Sequence, residues 1–486
     1  MAPGVLTWVV VTSLVWGALL IPLPLAWFVI AFDFYWLVRS VSTVLYAGMG
    51  MLRVRRDAKI DWFAEYQKEL RGGRVGIPWS HIHHVVVIPN FNEKIQKLHL
   101  TLEHLARQPL ALRQITVVLA MEEREEGAFA KASALQKEFQ AHFAHFFCTF
   151  HPANLPREVK GKSANEAWAA RWAKRLLVDE MKYPLDHLTI TSSDADSLFH
   201  PQYFRCLTYK FSTDPNRYHK FWQAPIFLHN NLWEVPMPLR VVSSLSSIHF
   251  LSELCKRRHS LFPQSTYSLS LRMADEVDYW DPDVIPEDWH MFLKCFFRLG
   301  AMVETEPIFL PIGSDAVQST TYWRTLTSRY FQAQRHAWGA VDIPYAVREF
   351  LDRPEVPMLP ALRRIWAVME NHLLWSTHWF MLTLGAGIPT LLAPALARLT
   401  PWGGLTQLSN WILMICLIPL ACIILWDTLL RPPLPPHFPW WRLPFVYLQW
   451  LSLPLTSLFL ATLPAVDAQT RLMVRKYIEY QVTEKV

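Results

Sequence analysis

The sequence predicts an α/β domain on a mostly parallel sheet, carried between apolar helices that cross a bilayer. The hydrophobic fraction is 52% over 486 residues, too high for an ordinary soluble multidomain protein. The apolar residues crowd towards the two ends of the chain and leave a middle of mixed polar composition. In that middle, from His84 onward, short β-rich runs alternate with helical stretches, the pattern of a parallel sheet covered on both faces.

At the N-terminal end, Val5–Ile21 is long enough to cross a thin hydrocarbon core and Leu25–Leu52 is long enough outright, with Pro22 and Pro24 making the turn between them. No basic n-region or small-residue cleavage site is present, so residues 1–52 are expected to be an anchor of two helices. Arg53, Arg55, Arg56 and Lys59 follow at once, which places the next domain in the cytosol by the positive-inside tendency. Asp33 and Arg39, inside the second span, are expected to face other helices or an aqueous pore.

The catalytic-sized domain is expected over 53–345. Its first strands are His84–Ile88, Ile115–Leu119, Phe146–Phe150 and Leu188–Thr191, with helices at Glu93–Arg107, Ala128–Phe143 and Ala164–Val178. An interfacial segment, 346–371, leads into a membrane region, 372–466, with apolar stretches at His372–Leu396, Leu408–Leu430 and Leu443–Val466, and then a tail, 467–486. Trp402, Trp440 and Trp441 mark the interfaces. If all three stretches cross, Arg471, Arg475 and Lys476 end outside, against the charge tendency. One stretch, broken by Pro389 or Pro454, is therefore expected to be re-entrant or interfacial, unless the tendency fails here.

The formal charge of +6 is not gathered into a long basic run, so nucleic acid is not an expected partner, and an anionic bilayer surface explains the excess. Six cysteines without a CxxC pair or zinc spacing fit a reducing compartment. The absence of GxGxxG and GxxxxGK[ST] argues against a dinucleotide oxidoreductase or a P-loop NTPase.

Parallel sheets bind ligands at the carboxyl ends of their strands. Three polar clusters fall there: Pro89-Asn90-Phe91-Asn92-Glu93, Glu122-Glu123 and Asp194-Ala195-Asp196. The last is an acidic hook ahead of His200-Pro201. It suits a hard divalent cation on one carboxylate and a ribose hydroxyl on the other, the cation neutralising a diphosphate leaving group. The same two aspartates would also serve as caps for the next helix.

Pro89-Asn-Phe-Asn-Glu93, Lys160-Gly-Lys162, Asp194-Ala-Asp196, Pro286-Glu-Asp288 and Gln332-Ala-Gln-Arg335 occur in that order. Together they resemble the family 2 glycosyltransferases, the membrane-embedded group that includes cellulose and hyaluronan synthases. The resemblance runs from His84 to Asp342 and extends in kind to the flanking membrane segments. It implies a GT-A fold, a Rossmann-like, mostly parallel domain. It also implies a nucleoside diphosphate sugar as donor, UDP being the expected nucleotide, with Mg or Mn on Asp194 and Asp196. Asn90, Glu93, Glu122 and Glu123 look like the nucleoside pocket. Lys162, Asp194, Gln332 and Arg335 would approach the rest of the donor. Asp288 matches the base that takes a proton from the acceptor hydroxyl in an inverting transfer. A lysine on a helix start, or an acidic surface loop like that around Asp288, would look much the same without this company.

In Gln332-Ala-Gln-Arg335-His336 a histidine stands where the family has tryptophan. Trp338 shares a helical face with Arg335 and is the candidate acceptor wall, or else a membrane-interface anchor. Glu287 and Gln223 are further acceptor candidates, and Trp222, Phe227 and Trp233 would line a groove or fill a core. Arg324, Arg329, Arg335, Arg363 and Arg364 would keep the pocket near the lipid surface. The ending Glu479–Lys485 also resembles the family.

Two functional readings follow. One is a transferase acting on a lipid or glycan acceptor at the plasma membrane of a bacterium, making a polysaccharide processively or glycosylating a lipid once. The other is a non-catalytic membrane protein that keeps the fold for binding nucleotide sugars. A transporter is disfavoured, since intramembrane charges are few and the soluble domain forms the bulk of the chain.

Overall fold

A computed structural model describes residues 1–256, 261–401 and 403–478, so Trp402 and the Glu479–Lys485 ending lie outside the described residues. The central sheet grows outward from β1 (His83–Pro89). Beside it lie β2 (Ile115–Glu122), β3 (His145–His151) and β4 (Leu188–Ser192), all parallel, in the order β3-β2-β1-β4. These are the four strands the sequence predicts, each lengthened by one to three residues. Val85, Val86, Val87 and Ile88 are fully buried, as a strand covered on both faces requires. His84 is buried with them because both ring nitrogens are satisfied, at 2.7 Å from the Thr189 hydroxyl and 2.8 Å from that of Thr208.

Among the described residues, six further short strands belong to the domain: β5 (Leu198–Phe199), β6 (Lys220–Gln223), β7 (Ile226–Phe227), β8 (Tyr267–Ser270), β9 (Glu304–Pro307) and β10 (Ile312–Gly313). The large sheet has seven strands, β3-β2-β1-β4-β8-β6-β9, and β8 is antiparallel to both its neighbours. The pairing of Ser192 with Tyr267 therefore brings the chain that enters β8 beside the chain that leaves β4. A small sheet, β5-β10-β7, does the same for Asp196, since β10 runs antiparallel to β5 with Gly313 opposite Leu198. Both reversals deliver loops to the carboxyl ends of β1 and β4, where the strand order turns.

Among the described residues, four helices are long and apolar enough to cross a membrane: Ala2–Leu20, Pro22–Asp57, Leu405–Leu430 and Trp440–Met473. The last is built from short pieces, with Pro444, Pro454 and Pro464 each in the opening turn of a new one, the position where a missing N–H costs least. The stretch at His372–Leu396 is not one of the four. It begins inside a helix, Met358–Leu384, that runs through the expected boundary between 371 and 372, and it breaks before a short helix at Gly387–Leu392.

Asp33 and Arg39, within Pro22–Asp57, face other helices. Arg39 donates to Glu370 at 2.7 Å and to the Tyr35 hydroxyl at 2.9 Å, and the fully buried Asp33 accepts from Ser409. Where Ala2–Leu20 meets Leu463–Met473, Gly4 lies so close to the neighbouring backbone that a Cβ would stand 2.2 Å from the Gln469 carbonyl oxygen. A backbone oxygen cannot swing aside. Gly4→Ala is therefore expected to separate the two helices and cost about 1–3 kcal/mol as overpacking. The check is the melting temperature of the detergent-solubilised protein, and an unchanged value would contradict this packing.

Candidate active site

Lys162 is the first residue of the helix Lys162–Lys174, reached from an extended Gly161. Its ammonium lies 2.8 Å from Asp194 Oδ1, 2.8 Å from Glu287 Oε1 and 3.7 Å from Glu166 Oε1, and it donates to the Ser265 carbonyl at 2.8 Å. Burial alone would discharge it, but Asp194, Glu287 and Glu166 outweigh burial and hold it protonated well above the usual lysine range. It is not the solvated lysine of a helix start. Glu166, fully buried, is pushed up by that burial against the pull of Lys162, and its Oε1 accepts from the Ser192 hydroxyl at 2.5 Å.

Glu287 and Asp288 open the helix Glu287–Leu299. Asp288 Oδ1 accepts from the Trp289 N–H at 2.8 Å and Oδ2 from the Ser265 N–H at 3.1 Å. Burial first, and then the neighbouring Glu287 charge, push its carboxyl up to about 7, while Lys162 and the two N–H groups oppose the shift. A carboxylate poised there suits a general base at neutral pH, which a solvated acidic loop would not. The helix is fastened one turn later. His290 bonds Asp342 at 2.7 Å and Asp281 at 3.0 Å, and Lys294 reaches Asp281 at 2.6 Å. Burial opposes a charge on His290, but the two aspartates prevail and push it up to about 9.

Asp194 and Asp196 do not cap the following helix, Tyr203–Thr213, whose cap position is Gln202. Asp194, 26% exposed in its side chain, turns to Lys162 and to the hydroxyl of Ser265. Asp196, 5% exposed, accepts at Oδ2 from the Ser314 hydroxyl at 2.8 Å and from the Asp315 N–H at 2.6 Å. Among the described residues no three His, Cys, Asp or Glu side chains are grouped to hold an ion by themselves. The donor set still suits Mg or Mn, which take one or two carboxylates and complete their shell with substrate phosphate and water. Asp196 has the hydrogen-bonded, oriented carboxylate typical of a metal ligand. Asp194, Glu287, Asp288 and Glu166 also outnumber the single ammonium among them.

The expected nucleoside residues form a second cluster at the ends of β1, β2 and β3. Asn90 is buried and donates to Glu125 at 2.8 Å, and Lys131 bonds Glu125 and the Glu93 carbonyl. Glu93 folds back to accept from the Phe91 N–H at 2.6 Å. Glu122, buried, accepts from Arg124 at 3.0 Å, and Arg124 lies 4.0 Å above the Phe91 ring. Glu123 accepts from the Ala153 N–H at 3.3 Å.

The remaining candidates sit further out. Gln332 accepts from Arg329 at 2.6 Å on its own helix, Tyr322–Ala337, which also carries Arg335 and leans on Leu463–Met473 through Gln334 and Asp467. Trp338 falls just beyond that helix, 3% exposed, in a core cluster with Ile285, Ala465 and Ala468. Its ring supports the turn that leads to Glu287 and has no broad open face for an acceptor. Gln223 is likewise enclosed, accepting from the Gln264 N–H at 2.7 Å and donating to the Thr266 carbonyl at 3.2 Å. Sequence reasoning missed Ser265, His290 and Glu166. Only Glu166 left a signal, standing four residues after Lys162 on one helical face.

A family model described as "Glycosyl transferase family group 2" matches residues 189–466, more than half of the chain and the part that holds the acidic hook and Asp288. The chain belongs to that family and is a glycosyltransferase with a GT-A-like domain flanked by membrane-length helices. Among solved structures it is similar to the mannosyltransferase PcManGT from Pyrobaculum calidifontis in complex with GDP-Man and Mn2+. The TM-score is 0.40 at 16% identity, over 79% of this chain and 99% of that one. No curated protein matches the chain by sequence.

On the proposal that Asp288 is the base, the competent form is its ionised carboxylate. With Asp288 raised to about 7, kcat/KM for the donor is expected to be full above that pH and to fall as pH drops through it, with an acid limb near 7. An acid limb near 4 in the pH–rate profile would contradict the buried environment of Asp288.

Proposed function

We propose that the chain is an inverting, metal-dependent transferase that moves a sugar from a nucleoside diphosphate donor, UDP-linked, to an acceptor at the membrane. The observation that carries this reading is the convergence of Lys162, Asp194, Glu287 and Asp288 at the carboxyl ends of β1 and β4. In this reading Asp194 and Asp196 hold the divalent ion, which when bound offsets charge on the diphosphate. Lys162, already charged, exchanges part of its carboxylate shell for diphosphate oxygens, helped by the N-terminus of its helix. Asp288 takes the proton from the acceptor hydroxyl as it attacks the anomeric carbon, and no covalent sugar–enzyme bond forms.

Asn90, Glu93, Glu122 and Glu123 form the nucleoside side of the pocket, with Gln332 and Arg335 approaching from the helix above. Gln223 and Trp338 serve this reading from behind, as supports of the loop and turn that carry Ser265 and Glu287. Arg53, Arg55 and Arg56 at the end of Pro22–Asp57, with Lys59 just beyond it, support a cytosolic position for the domain, with the acceptor, a lipid or a glycan, at the inner bilayer surface. The Gln332-Ala-Gln-Arg335 motif favours processive synthesis, while His336 and the few spans keep a single glycosylation of a lipid as the alternative.

Asp288→Asn is expected to lower kcat by about 10²–10⁴-fold, the usual worth of a general base, while binding of the nucleoside diphosphate persists. Unchanged turnover of labelled donor would remove Asp288 from the mechanism. Chelation with EDTA is expected to abolish transfer, and Mg or Mn to restore it; full activity in the chelator would remove the metal. Product length measured on the purified protein decides the acceptor reaction, since one sugar per acceptor excludes processive synthesis.

A further inference from the structure

Ser265 is one of the non-glycine residues of this chain in the left-handed region, at φ 58°. A side chain there crowds the backbone, so the conformation persists only where the surroundings impose it. Here both neighbours are pinned. The Gln264 N–H and the Thr266 carbonyl are held by the amide of the buried Gln223, and the Thr266 hydroxyl accepts from the Asp194 N–H at 3.1 Å and bonds Ser197 at 2.7 Å. The antiparallel pairing of β4 with β8 sets this segment directly beside the acidic hook.

Every polar group of Ser265 is then spent on the charged cluster. Its N–H donates to Asp288 Oδ2 at 3.1 Å, its carbonyl accepts from Lys162 at 2.8 Å, and its hydroxyl donates to Asp194 Oδ2. The first two are backbone groups, and their direction is fixed by the backbone torsions of this one residue. We infer that Ser265 is the positioning residue of the reaction, its left-handed backbone aiming Asp288 at the acceptor while its hydroxyl orients Asp194 at the donor. This rests on the roles given to Asp288 and Asp194 above. The hydroxyl serves donor binding and the backbone serves the base, so the two contributions separate by substitution.

Ser265→Gly and Ser265→Ala remove the hydroxyl and tolerate the left-handed backbone at least as well as the serine does, Ala carrying the same Cβ, whereas the β-branched Ser265→Val removes the hydroxyl and resists that backbone. The experiment measures kcat and donor KM for the three full-length variants in detergent, with UDP affinity in the presence of Mg by calorimetry. All three are expected to share one weakened UDP affinity. In kcat they are expected to diverge, Gly and Ala staying within about threefold of the parent and Val losing about 10²-fold or more, as for a displaced base. If the Val variant does not fold, Ser265→Thr, which keeps the hydroxyl on a β-branched residue, is expected to lose kcat severalfold at an unchanged UDP affinity. Equal kcat in Ala and the β-branched variants, or a UDP affinity that falls in step with kcat along the series, overturns the proposal. Asp288→Asn, run beside them, separates the two levels. If it retains turnover, the base assignment itself fails, whereas if it is inactive and the Ser265 series is flat, only the positioning role fails.

Discussion

One buried ammonium holds the active centre together. Lys162 is the cation at which the acidic hook after β4, the Glu287-Asp288 turn and the loop before β8 meet, and each of the three reaches it within 2.8 Å. Carboxylates packed this closely repel one another, and a lone buried charge left among them costs about 3–5 kcal/mol once its partner is removed. The lysine therefore has two duties. It stabilises the arrangement before any donor arrives, and in the proposed mechanism it presents a positive charge to the diphosphate. In the proposed mechanism the excess of carboxylates around it receives the divalent ion, and burial pushes the Asp288 carboxyl up to about 7.

That meeting point exists because two strands reverse direction. In a purely parallel sheet the loop before each strand lies at the opposite edge from the loop after its neighbour. β8 is antiparallel to β4, so the chain entering it, Gln264–Thr266, arrives at the same edge as Asp194. β10 is antiparallel to β5, so Ser314 and Asp315 meet Asp196 there. The helix bearing Glu287 and Asp288 is then clamped by the buried His290–Asp342 pair and by Trp338 behind Ile285. The catalytic geometry is thus an outcome of sheet topology, secured by ion pairs a turn further along each element.

The membrane-length helices obey the complementary constraint. Polar groups within them are matched across helices, Arg39 with Glu370, Asp33 with Ser409, and Thr7 with Ser376 at 2.8 Å. Small residues such as Gly4 allow the close approach that such matching needs. The prolines of Trp440–Met473 divide that segment into turns without ending it, since each lies at the start of a piece where no helical N–H is lost.

Much of this was legible in the sequence. The four parallel strands are uninterrupted apolar runs ending in polar clusters, and period and length alone identify them. The first two spans and the motif residues Lys162, Asp194, Asp196 and Asp288 are local in the same sense, each fixed by residue type and short spacing. The six later strands escaped because two to four residues carry no periodicity of their own; pairing partners distant in the chain make them strands. Ser265 escaped for a related reason, since nothing in Gln264-Ser265-Thr266 announces a left-handed backbone, which is imposed by Gln223 and by the reversal at β8. Trp338 and Gln223 looked like acceptor residues by type and position, and burial made them supports. The sequence by itself determined which chemical groups the site contains. Which of them face one another was decided by the tertiary structure, because strand direction and charge pairing act between residues that lie a hundred positions apart.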